Sequence, residues 1–146
     1  MAHVTSVNIS EKKGIRKHEM PYIDLAVGTG IVGDAHAGNW HRQVSLLAEE
    51  SVDLMREKLP DLTPGAFAEN INTAGIELTA LPVGTLLQIG ECILCVTQIG
   101  KECHNDCAIK KAAGICVMPT RGIFAVVVRG GRIQKGDEIS VTEAAV

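Results

Sequence analysis

The stretch Ile123-Phe124-Ala125-Val126-Val127-Val128-Arg129-Gly130-Gly131-Arg132-Ile133-Gln134 decides the fold class. Its first seven residues are mostly β-branched and apolar, and the glycine pair that follows reads as a two-residue hairpin turn. Arg132 to Gln134 then leads through a Gly136-Asp137 turn into a last strand, Glu138 to Thr142. Working outward, the same grammar recurs. Leu86 to Ile89 and Ile93 to Ile99 flank Gly90-Glu91-Cys92, a tight hairpin, and Val4 to Ile9 and Gln43 to Leu47 read as further strands. One helix interrupts them, from about Ala48 to Leu59. Ala48, Val52, Met55 and Leu59 fall on one helical face, Glu49 and Glu50 suit its amino end, Arg56 and Lys58 its carboxyl end, and Pro60 stops it. Lys12, Lys13, Gly14, Arg16 and Lys17 read as a solvated turn.

Many short strands, one convincing helix and 15 glycines predict a mainly β domain, and a small closed barrel in particular, because closure removes exposed strand edges. The 146 residues suffice for a single domain spanning 1–146, and the 46% apolar content can fill its core. Composition also excludes partners. A net charge of −3 with only four aromatic residues provides neither the basic excess nor the stacking platform of a nucleic-acid binder. No apolar run approaches the roughly 20 residues of a membrane span. The amino terminus shows no basic segment followed by an apolar one, so a cytoplasmic protein with reduced thiols is expected.

Five cysteines outnumber the aromatics, and they separate by context. Cys92 and Cys95 lie in an apolar strand where a three-residue spacing points the two sulfurs to opposite faces, which favours core packing over zinc. Cys116 stands beside Val117 and Met118 and reads the same way. Cys103 differs. It follows Gly100-Lys101-Glu102 and immediately precedes a short helix that Asn105 or Asp106 caps and Gly114 ends. Unpaired amide N–H groups and Lys101 lower the pKa of a thiol placed there, so Cys103 is the reactive candidate and Cys107 a second thiol.

A second polar cluster runs from Gly30 to Arg42 through Asp34, His36 and His41. Its glycines suit a backbone that approaches a ligand. The histidines serve either as hydrogen-bonded structure or as metal ligands with Asp34, and Arg42 can clamp an anion. Glu69 and Asn70 form an acid–amide pair inside an apolar, strand-like stretch, where burial demands a hydrogen-bonded network. Arg121 brings a cation to the start of the Ile123 strand.

Six fragments in order, Gly30-Ile31-Val32-Gly33-Asp34-Ala35-His36, His41 to Leu47, Phe67 to Ile71, Val83 to Gly90, Gly100 to Cys103, and Gly122 to Gly131 running on to Asp137, resemble the MOSC domain. That is the carboxy-terminal domain of molybdenum cofactor sulfurases and also occurs alone. The Cys103-x3-Cys107 and Cys116-Val117-Met118-Pro119 elements are similar to its short bacterial form. The resemblance implies a distorted β-barrel like that of pyruvate kinase, with one or two short helices. It further implies that Cys103 carries sulfur as a persulfide or ligates molybdenum, and that His36, His41, Arg42, Glu69, Asn70, Lys101 and Arg121 line the molybdopterin pocket. A cysteine desulfurase or other sulfur donor, and a molybdoenzyme or cofactor-biosynthesis protein as acceptor, are the implied partners. No pyridoxal-phosphate desulfurase domain fits within 146 residues. Two other readings stand beside sulfur carriage: a molybdenum-dependent reductase of N-hydroxylated compounds, and a structural zinc site of Cys103, Cys107, Cys116 and a histidine.

Overall fold

The computed structural model describes residues 2–12, 17–100 and 122–142. Eleven strands and one α-helix are found there: β1 (His3–Ile9), β2 (His18–Met20), β3 (Ile23–Ala26), β4 (Gly30–Ile31), β5 (Val44–Ala48), α1 (Glu49–Arg56), β6 (Ile71–Ala74), β7 (Leu86–Ile89), β8 (Cys92–Ile99), β9 (Ile123–Arg129), β10 (Gly131–Ile133) and β11 (Ile139–Thr142). Eight strands form one sheet in the order β11-β7-β8-β9-β5-β6-β1-β2, and β10-β3-β4 form a second.

The protein is mainly β, as expected, but the expected barrel closure is not found among the described residues. β11 and β2 end the large sheet, and β1 meets the approach to β11 through one bridge, His3 to Glu138, and backbone bonds from Val4 N to Asp137 O, Gly136 N to Val4 O and Ile139 N to Ala2 O, without a paired strand ladder. The glycine pair departs from expectation as well. β9 is already paired with β8 and β5, so β10 does not fold back on it as a hairpin. It crosses to the second sheet and pairs antiparallel with β3, Gly131 opposite Leu25 and Ile133 opposite Ile23. Gly130 is needed for that crossing, since a Cβ there would lie 2.4 Å from the Leu25 carbonyl oxygen. The doublet therefore marks a close backbone approach rather than a turn between partners.

The large sheet is antiparallel except for β5 and β6, which run parallel with Leu46 opposite Ile71. A parallel pair requires a crossover, and α1 with the loop to residue 70 provides it. The helix is shorter than its periodicity suggested, because after Arg56 the chain continues in turns, with both Lys58 N and Leu59 N bonded to the Met55 carbonyl. Its inward residues Val52 and Met55 are fully buried with Leu47, Leu62, Phe67 and Phe124 in a small second core. Burial of such side chains is worth about 1.5–3 kcal/mol each. The principal core gathers the inward residues of both sheets, among them Val7, Ile31, Leu46, Ile71, Leu94 and Ile133. Cys92 belongs to it, and burial pushes its thiol up to about 11. Cys95, on the other face of β8, is half-buried.

Candidate functional site

The loop from β4 to β5 is shaped by contacts that its sequence makes necessary. A Cβ on Gly30, whose φ is +103°, would stand 2.9 Å from the Gln43 carbonyl oxygen, so glycine lets the two ends of the loop meet. Gln43 in turn is buried and accepts a bond from the Val127 amide at 3.0 Å, which fixes where β5 begins against β9.

Asp34 organises the loop from inside. Its Oδ1 accepts from Ser10 N at 3.1 Å and from Lys17 Nζ at 2.7 Å, and its Oδ2 accepts from His36 N at 3.1 Å. The Lys17 and Asp34 side chains are both 0% exposed. Lys17 is thus no part of a solvated turn, as its surroundings in sequence suggested. It is a buried cation whose Nζ has three groups within hydrogen-bond distance: Asp34 Oδ1, His36 Nδ1 at 2.9 Å and Ser10 Oγ at 3.4 Å. Burial pushes the Lys17 amine below the usual lysine range, while the hydrogen bond and charge of Asp34, with the charge of Glu69, push it back.

Arg42 and His41 are held by Gln98 at the end of β8. Gln98 Oε1 accepts from Arg42 Nε at 3.1 Å and bonds His41 Nε2 at 2.9 Å, and its Nε2 donates to the Gly100 carbonyl at 2.8 Å. An arginine can only donate, so the amide orientation is set and His41 Nε2 carries its proton. The Arg42 guanidinium lies 5.1 Å from the centroid of the Phe124 ring, a cation–π contact. Its two terminal nitrogens have no partner among the described residues. Beside them Gly100 N donates to the Gly122 carbonyl at 2.7 Å, so the chain ends that bracket residues 101–121 are joined here.

The floor is a polar network between β5 and the residues before β6. Asn70 Oδ1 accepts from Ser45 N at 3.0 Å and Ser45 Oγ at 3.1 Å, and Asn70 Nδ2 donates to the Asn8 carbonyl at 3.1 Å. Glu69 is fully buried below. Its carboxylate accepts from Phe67 N at 2.9 Å, Gly65 N at 3.2 Å and Asn72 Nδ2 at 2.8 Å, and burial raises its pKa despite those bonds. Between them Ala68 takes φ +66°, in the left-handed region that a residue with a Cβ enters only at a cost. The acid–amide pair is thus the hydrogen-bonded network its burial demanded, carried by a turn and not by a strand.

His36, Trp40, Arg42, Ser45, Phe67, Ala68, Asn70 and Phe124 line one cleft of about 110 Å³, the volume of three or four water molecules. The structure therefore brings His36, Arg42 and Asn70 together, ties His41 to them through Gln98, and turns the Glu69 carboxylate away into the interior. Lys101, Cys103, Cys107, Cys116 and Arg121, with the short helix expected after residue 105, lie outside the described residues. Among the described residues no three histidine, cysteine or carboxylate side chains converge to hold a metal. Sequence reasoning passed over Gln98, Ser45, Trp40 and Phe124. Only Gln98 carried a signal, as a long polar side chain near the end of an otherwise apolar strand.

The MOSC domain family model matches residues 33–140. Among solved structures, the YuaD protein from Bacillus subtilis is similar at 23% identity and a TM-score of 0.78, over 97% of this chain and 96% of that one. YiiM from Geobacillus stearothermophilus is similar at 17% identity and a TM-score of 0.73, over 100% and 77%. YiiM from Escherichia coli is similar at 17% identity and a TM-score of 0.69, over 99% and 71%. At these identities the structures attest the fold. No curated protein matches the chain.

Proposed function

This chain belongs to the MOSC domain family, and from that premise we propose that it handles sulfur through Cys103, with the His36–Arg42–Asn70 cleft receiving the anionic end of a sulfur donor or of molybdopterin. The observation that carries the reading is the Arg42 guanidinium. It is pinned by Gln98 and Phe124, faces the cleft, and stands beside the Gly100–Gly122 junction from which the Cys103 segment departs. Cys103 lies three steps along the chain from Gly100, at most about 11 Å when fully extended.

The chemistry is thiol exchange. The Cys103 thiolate attacks the outer sulfur of a donor persulfide, such as that of a cysteine desulfurase. A bond forms between that sulfur and Cys103 Sγ, the donor's S–S bond breaks, and the donor leaves as a thiolate. Arg42, with Lys101 and Arg121 from the intervening segment, favours the thiolate over the thiol and draws an anionic partner by charge. Attack of the Cys107 thiolate on Cys103 Sγ then forms a Cys103–Cys107 disulfide and breaks the persulfide S–S bond, the outer sulfur leaves as hydrosulfide for an acceptor, and a thiol reductant restores the two cysteines.

The donor set also fits a molybdopterin phosphate, because Arg42 offers two terminal guanidinium nitrogens at a cleft edged by Trp40 and Phe124. Arg42 and His36, with Lys101 and Arg121, would hold that end, and the group would supply a molybdenum centre open to a Cys103 sulfur ligand. Incubating the protein with a cysteine desulfurase and cysteine, followed by intact-mass analysis, tests the proposal. Gain of one sulfur atom on the native chain and none on Cys103→Ala is expected. No gain on the native chain, or equal gain on both, refutes it.

A further inference from the structure

We infer that Lys17 is a positioning residue for the cleft, fixing His36 as the tautomer whose proton is on Nε2, so that this histidine meets a ligand as a hydrogen-bond donor and not as a base or metal ligand through Nε2. The functional consequence rests on the reading above; the tautomer does not. Geometry makes the assignment. His36 Nδ1 lies 2.9 Å from Lys17 Nζ but 3.8 Å from Asp34 Oδ2, which is occupied by the His36 backbone N–H. The ring nitrogen is therefore bonded to the lysine and not to the carboxylate.

Which partner donates follows from charge. Lys17 and Asp34 are sealed from solvent at 2.7 Å, and a neutral amine would leave the Asp34 carboxylate buried without a counter-charge. An ammonium has three protons and no lone pair, so Nδ1 must accept and the ring proton must sit on Nε2. Asp34 holds Lys17, Lys17 holds Nδ1, and the opposite edge of the ring carries the donor of a cleft that already contains the Arg42 guanidinium. Both of these groups favour an anion, whether the thiolate of Cys103 or a phosphate.

Nitrogen-15 NMR of the full chain labelled at histidine, near neutral pH, reads this directly. A pyrrole-like Nε2 and a pyridine-like Nδ1 are expected for His36. In Lys17→Met the ammonium no longer holds Nδ1 as an acceptor and the Asp34 carboxylate stands 3.8 Å from it, so the pattern should reverse or become that of an imidazolium. A pyrrole-like Nδ1 in the native protein overturns the inference even if the variant does not fold. An unchanged pattern in folded Lys17→Met also overturns it. The measurement involves no sulfur chemistry, so its failure is distinct from a failure of Cys103 to take up sulfur.

Discussion

Replacing Lys17 by methionine should cost the fold about 3–5 kcal/mol, the penalty for leaving one member of a buried ion pair uncompensated. Methionine matches the length of the lysine stem but provides no charge. Asp34, 0% exposed and 2.7 Å from Nζ in the native chain, would keep the Ser10 and His36 amides as donors, with the His36 ring 3.8 Å away as a poor substitute for the ammonium. If Lys17 lay instead in a solvated turn, loss of its ion pair would cost about 0–1 kcal/mol. The two cases are well separated against a total stability of roughly 5–15 kcal/mol. Urea denaturation of native and variant protein, read as the change in midpoint at constant slope, measures the difference. In thermal melts the same loss corresponds to a fall of roughly 6–20 °C for a domain near this size. A loss below about 1 kcal/mol would refute the burial of this pair, and with it the anchoring of His36.

Gly130→Ala should cost about 2 kcal/mol or more, of the order of other overpacking strains, because the new Cβ would meet the Leu25 carbonyl at 2.4 Å; an unchanged denaturation midpoint would contradict the sheet-to-sheet crossing. Glu69 has a folded-state pKa raised by burial, so its contribution to stability is fully present below the unfolded value of about 4.3 and is lost as pH rises through the folded value. Relative to Glu69→Gln, which does not titrate, the native chain should lose stability across that window and then level off, and parallel stability–pH curves would exclude a raised pKa. Ala68→Gly should be neutral or stabilising by up to about 1 kcal/mol, since it relieves φ +66° at the cost of a more flexible unfolded chain; a clear loss in the melting midpoint would argue against that backbone.

Local pattern carried much of this fold. β7, β9 and the body of β8 follow from runs of β-branched and apolar residues, and α1 from a 3.6-residue apolar period, because in each the side chains themselves record which face is buried. Sheet partnership was legible for the β7–β8 hairpin, which forms as expected, but not beyond it. Gly130-Gly131 satisfies both a hairpin and a crossing, and only the second sheet, with β3 waiting for β10, decides between them. β2 and β4, of three and two residues, are too short for any period to show. In the site, His36, Arg42 and Asn70 stood out as polar residues in glycine-rich or apolar settings. Lys17 did not, since a lysine among lysines looks solvated until a carboxylate 17 positions away is folded onto it. Gln98 was hidden for a related reason, as its partners His41 and Arg42 lie more than 50 positions earlier in the chain.

The central claim is that the Arg42 cleft and the cysteine segment rooted beside it form one sulfur-handling site. The rate at which Cys103 takes up sulfur from a desulfurase persulfide, followed by intact mass in native, Arg42→Ala and Lys135→Ala proteins, tests this most directly. Loss of a charge-assisted contact worth about 1.5–3 kcal/mol predicts uptake slowed roughly tenfold to a hundredfold in Arg42→Ala. Lys135 is an exposed cation lining a different groove, and its removal should leave the rate unchanged. Equal rates in all three proteins would contradict the account.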